Sequence, residues 1–191
     1  MSLLKIAHIG HPVLRQTART LTQEELASSE IQSFIDNLVE TMRDANGAGL
    51  AATQVYNPVQ ICAIEVIDNP RYPYKPNIPL TVMVNPIITV LSEETFENYE
   101  GCLSVPNLRG RVMRNTEIRV SFLDRDGQEH EREVRGITAG TYQHEVDHLF
   151  GKIFMDHIFD SKSLCTWTEF ERHHRDAFVK EAEAIVARWG G

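Results

Sequence analysis

The stretch QHEVDHLFG, residues 143–151, places His144 and His148 four residues apart with Glu145 directly after the first. At about 100° per residue a helix brings two such imidazoles to within about 40° of each other, on one face. That is the arrangement by which a helix offers two nitrogens to one divalent metal, and a glutamate beside the pair has the chemistry of a general base. Tyr142, Val146 and Leu149 fall on the other side, so one face can bind while the other packs. A buried helix with hydrogen-bonded histidines would show the same pair. The intervening glutamate and the apolar opposite face favour the metal.

An open catalytic metal site needs a third protein ligand. In one known pattern the helix ends at a glycine and a histidine follows three residues later; Gly151 is in place, but Phe154 stands where that histidine should be. A carboxylate on a later helix is available at Glu169 or Glu171, although capping and the helix dipole also favour acidic residues in a first turn. Cys102, in EGCLSVP, offers a thiolate suited to a borderline-soft ion, and taken alone it equally fits a small core residue. Spacing leaves the third ligand open. Asp147 is a candidate partner for Arg114, holding the helix in place. Cys62 and Cys165 read as packing residues, and His173 and His174 as surface groups in a charged helix.

These groups must be carried by one compact body. With 191 residues and 42% hydrophobic content, the chain is expected to fold as a single domain, 1–191. A net charge of −8 argues against direct nucleic-acid binding, and no run approaches the ~20 apolar residues of a membrane span. A cytoplasmic protein without membrane association is therefore expected. Three scattered cysteines make no disulfide framework.

Along the chain, Ile31, Phe34, Ile35, Leu38, Val39 and Met42 recur at helical spacing, with Ser28 or Ser29 as cap and Asn46-Gly47 as stop. Residues 47–55, GAGLAATQV, carry glycines suited to tight turns or close backbone approach. Residues 59–67 read as a buried strand, 69–79 as a long loop with four prolines, and 81–90 as an edge or broken strand because of Asn85-Pro86. Alternation over 116–123, the Asp126-Gly127 turn and the polar stretch 129–134 predict a hairpin. A helix over 138–150 stopped by Gly151, and a C-terminal helix over about 167–189 opened by Thr166 and Glu169, complete an α+β fold.

GAGLAATQ (47–54), EGCLS (100–104) and QHEVDH (143–148), in this order, resemble the three signature motifs of peptide deformylases. IGHPVLRQ near the start, LDRDG before the hairpin and HLFGKIFMDH after the histidines are similar to the family as well, so that the likeness runs from about Ile6 to about Ile158. The resemblance implies mostly antiparallel sheets packed around a central helix bearing HExxH, with an N-terminal amphipathic helix and a C-terminal helix. It implies a hydrolase of protein biosynthesis that removes the N-formyl group from the N-terminal methionine of nascent peptides. Metal ligands would be Cys102, His144 and His148, binding Fe(II) in the cell, with Ni, Co or Zn as substitutes. Metal-bound hydroxide would attack the formyl carbon with Glu145 as general base and acid, while the Gln54 amide and the Leu103 N–H stabilise the oxygen.

Gly49 would let the peptide lie along the chain like an added strand, and Arg109 matches a family arginine near the peptide path, although a solvated arginine would also suit that position. Gln54 likewise suits an ordinary strand edge. The substrate class places the protein in proximity to the ribosome. Ala139-Gly140-Thr141-Tyr142 is smaller and more polar than the aliphatic set of some relatives, which implies a differently shaped side-chain pocket. A zinc endopeptidase with Glu169 or Glu171 as third ligand, a thiol enzyme using Cys102 as nucleophile, and a non-catalytic binder of formyl-Met peptides are the rival readings.

Overall fold

A computed structural model describes residues 2–69 and 73–190. Thr22 opens the short helix α1 (Gln23–Ala27) with a reciprocal box to Glu25, and Ser28 both ends it and caps α2 (Ser29–Asp44) by accepting from the Ile31 N–H. α2 buries Ile35, Leu38, Val39 and Met42, the stripe that its spacing predicts. α1 was not legible, since a single turn leaves no periodicity to detect.

The described strands form two antiparallel sheets. In the first, β1 (Gly49–Ala51), β2 (Ile61–Val66), β3 (Ile78–Val90), β6 (Glu117–Leu123) and β7 (Glu129–Arg135) lie in the order β1-β2-β3-β6-β7. In the second, β4 (Thr95–Cys102), β5 (Val105–Asn115) and β8 (Cys165–Thr166) lie in the order β4-β5-β8. The long β4–β5 hairpin is absent from the sequence reading. Its β4 face buries Asn98 and Glu100 beside Phe96 and Tyr99, so no clean apolar alternation announces it.

β3 corrects the expectation of an edge or broken strand: it is central, paired to β2 on one side and β6 on the other. The register shifts between Val84 and Ile87, so the N–H that Pro86 lacks falls at a bulge. Asn85 takes φ 51 there, and its side chain both accepts from the Leu21 N–H (2.9 Å) and donates to the Leu21 carbonyl (2.8 Å). The strand also begins at Ile78, within the predicted proline loop; residues 70–72 of that loop lie outside the described residues.

α3 (Gly136–Leu149) lies between the sheets, touching β1, β2, β3, β5 and β7. All of it but Asp147 is buried, so its polar face is enclosed rather than wet. Gly151, at φ 71, follows its end. The expected C-terminal helix is two, α4 (Trp167–His173) and α5 (Arg175–Trp189), broken at His174. Phe170 and Phe178 close an aromatic cluster on Tyr99, with ring centroids 5.0 and 5.7 Å away. No described helix is long and apolar enough to cross a membrane.

Candidate metal centre

β4 delivers one potential ligand and α3 the other two. The β4–β5 register shifts between Gly101 and Cys102, a local irregularity that re-aims the last side chain of the strand. The Cys102 sulfur comes to 3.3 Å from His148 Nε2, and the donor atoms of Cys102, His144 and His148 all lie within 4.8 Å of one another. They are the only such group among the described residues that joins both histidines of α3. Burial pushes the Cys102 thiol up, but His148 and His144 hold it down at about 5. A thiolate between two imidazoles is a donor set in which a divalent cation replaces protons.

The remaining candidates are elsewhere. Phe154 is buried in an apolar cluster with Val105, Val112 and Ile153. Glu169 pairs at the surface with Arg172 and His173, and Glu171 with Arg175.

Behind the donors runs a chain of charges. His144 Nδ1 is 2.8 Å from Glu100 Oε2, which leaves Nε2 for the cavity. Arg114 grips both Glu100 oxygens at 2.9 Å, donates to Asp147 at 2.6 Å, and Asp147 meets His157 at 2.9 Å. Burial penalises the Glu100 charge, yet Arg114 and His144 hold its carboxyl well below the usual range. The expected Asp147–Arg114 pair is present, while Glu100 went unnoticed although it sits two residues before Cys102. Arg114→Met should leave that buried carboxylate unmatched and destabilise the fold by about 3–5 kcal/mol. Denaturant unfolding would read this, with Glu100→Gln/Arg114→Met recovering part of the loss; an Arg114→Met stability equal to wild type would show the pair to be dispensable.

The Gln54 amide, which also reaches the sulfur, is held in one orientation. The Ala51 N–H donates to its oxygen (2.8 Å), so its NH₂ donates to Ser104 Oγ (3.0 Å) and to the Cys102 sulfur (3.3 Å). Gln54 is thus a buried, oriented donor at the cavity. Leu103, which follows the thiol, lines the same cavity.

Glu145 is buried on α3, and its Oε2 has no hydrogen-bond partner among the described residues. Burial raises its carboxyl above the ordinary range, with His144 and His148 pulling the other way. Gly49 on edge strand β1 packs so closely that a Cβ there would overlap the Glu145 side chain. Arg109 is 1% exposed rather than solvated. It lines the cavity, lies 4.0 Å over the Phe170 ring, and donates to the Tyr99 carbonyl (2.6 Å) and the Tyr74 hydroxyl (3.1 Å).

The family model described as polypeptide deformylase matches residues 3–163. A peptide deformylase of Leptospira biflexa is 39% identical over 163 residues, 85% of this chain and 91% of its own length. One from Saccharophagus degradans is 40% identical over 177 residues, 93% of this chain and 97% of its own length. The crystal structure of a class I type b peptide deformylase from Acinetobacter baumannii with Met-Ala-Ser bound superposes with a TM-score of 0.79 at 38% identity, covering 82% of this chain and 99% of that one.

Proposed function

Because the chain belongs to the polypeptide deformylase family, we propose that it hydrolyses the N-formyl group from the N-terminal methionine of newly made polypeptides, with residues 1–191 as one catalytic domain. The observation that carries this reading is the meeting, in one cavity, of the donors Cys102, His144 and His148 with the Glu145 carboxylate and the oriented Gln54 amide.

Cys102, His144 and His148 would hold the metal, with Glu100 fixing the His144 ring through Nδ1. Bound there, a divalent ion supplies a Lewis acid and lowers the pKa of water into the neutral range. We take Fe(II) as the ion used in the cell, with Ni, Co or Zn able to replace it, since thiolate and imidazole donors suit all of them. Glu145 takes a proton from the attacking water and delivers it to the amine that leaves. As charge grows on the formyl oxygen, the Gln54 NH₂ and the Leu103 N–H donate to it, each such donor contributing about 3 kcal/mol. The edge strand β1 gives the peptide backbone a partner at Gly49, and Arg109 stiffens the cavity wall beneath the peptide. The Met-Ala-Ser held by the Acinetobacter baumannii enzyme supports a methionine-first peptide in this cavity. Such substrates emerge at the ribosome, so we place the work there, in the cytoplasm.

Anaerobically purified protein should carry one metal per chain and release formate from formyl-Met-Ala-Ser. Stoichiometric metal without formate would overturn the assignment.

A further inference from the structure

Lys75 is a cation that the chemistry above does not use, and it lines the same cavity as Gln54, Cys102, His144 and Glu145. It is half-buried and sits in PYKPN, in which Pro73 and Pro76 restrict the backbone on either side. Tyr74 anchors the segment: it is buried, its ring stands edge-on to Phe178 at 5.0 Å, and its hydroxyl accepts from Arg109. The Lys75 ammonium donates to Thr141 Oγ1 at 3.0 Å, one turn before His144 and Glu145 on α3. Thr141 does not depend on it, because its hydroxyl also bonds the Ile137 carbonyl at 3.3 Å. Loss of water lowers the Lys75 ammonium to about 8, with Glu100 and Glu145 pulling it back up.

The cavity holds about 40 Å³, room for only about three waters. A substrate side chain that entered it would lie beside the ammonium and the hydroxyl, because Lys75 and Thr141 both line its wall.

We propose that Lys75, with Thr141 beside it, is the specificity-determining residue for the first side chain of the substrate, favouring one that presents a hydrogen-bond acceptor at methionine length over an aliphatic chain of equal size. This rests on the deformylase reading. A thioether sulfur is a weak acceptor, a sulfoxide oxygen a strong one, and the methylene of norleucine none.

Three peptides of one frame, formyl-Met-Ala-Ser, its methionine-sulfoxide form and its norleucine form, separate the possibilities. Metal-loaded wild type should favour the sulfoxide and methionine peptides over norleucine in kcat/KM. In Lys75→Met the sulfoxide-to-norleucine ratio should fall about tenfold, the effect of losing one charge-assisted hydrogen bond, while Lys75→Arg keeps the wild-type order. Because each ratio is taken within one protein sample, a smaller folded fraction cancels. An unchanged ratio in Lys75→Met overturns the proposal while leaving deformylation standing. No formate from any of the three peptides with metal-loaded wild type overturns the deformylase reading, and this one with it.

Discussion

Glu145→Gln should retain its metal and lose a factor of about 10²–10⁴ in kcat for formate release. The amide has nearly the size of the carboxylate, so the packing against Gly49, which tolerates no Cβ, survives. Glu145 lies outside the donor group of Cys102, His144 and His148, so the metal content should not change. What disappears is the proposed proton acceptor. In the wild type that acceptor is enclosed, with one oxygen unpartnered among the described residues, free to face water or substrate. KM for formyl-Met-Ala-Ser should move little, since the Gln54 amide and the β1 edge are untouched. A metal-loaded Glu145→Gln that turns over at the wild-type rate would remove Glu145 from the proton path.

The histidine pair was legible because helical spacing is local: four residues determine which side chains share a face. The thiol that joins them was not. Cys102 reaches His148 only because β4 and β5 pair and lose register at Gly101, and long-range pairing leaves no mark in a local pattern. Residue type makes Cys102 one candidate among several, and only the likeness of EGCLS to a family motif singles it out. Glu100 belongs to that same motif, but its role appears only with Arg114 and His144 around it. Lys75 was hidden for a different reason, since a proline-rich segment reads as exposed loop unless an anchor such as Tyr74 is known to be buried. Arg109 shows the limit from the other side: residue type favours solvent, but the rings of Phe170 and Trp167 enclose it. The break at His174 has no glycine or proline to announce it, whereas the stop at Gly151 does.

Cys102→Ser should abolish stoichiometric metal binding and formate release together, without loss of fold. The substitution exchanges one sulfur for one oxygen, and the groups that donate to the sulfur, the Gln54 NH₂ and the Ser104 N–H, can donate to a hydroxyl in its place. The metal-free variant should therefore still unfold cooperatively, at a lower temperature because the serine forfeits the charge that His148 and His144 stabilise on the Cys102 sulfur. A serine hydroxyl, however, does not ionise near neutral pH, so the site loses its anionic soft donor and keeps only the two imidazoles. Removing a residue that merely supports a ligand weakens metal binding about 10–100-fold, and losing a ligand should exceed that. Metal analysis after gel filtration distinguishes the rival chemistries. A zinc peptidase completed by Glu169 or Glu171 would keep its ion in Cys102→Ser, a result already disfavoured by the surface pairs those carboxylates make. A thiol enzyme would lose turnover in Cys102→Ser while its metal content stayed the same. Loss of both from a protein that still unfolds cooperatively is the outcome that only a thiolate ligand at Cys102 produces.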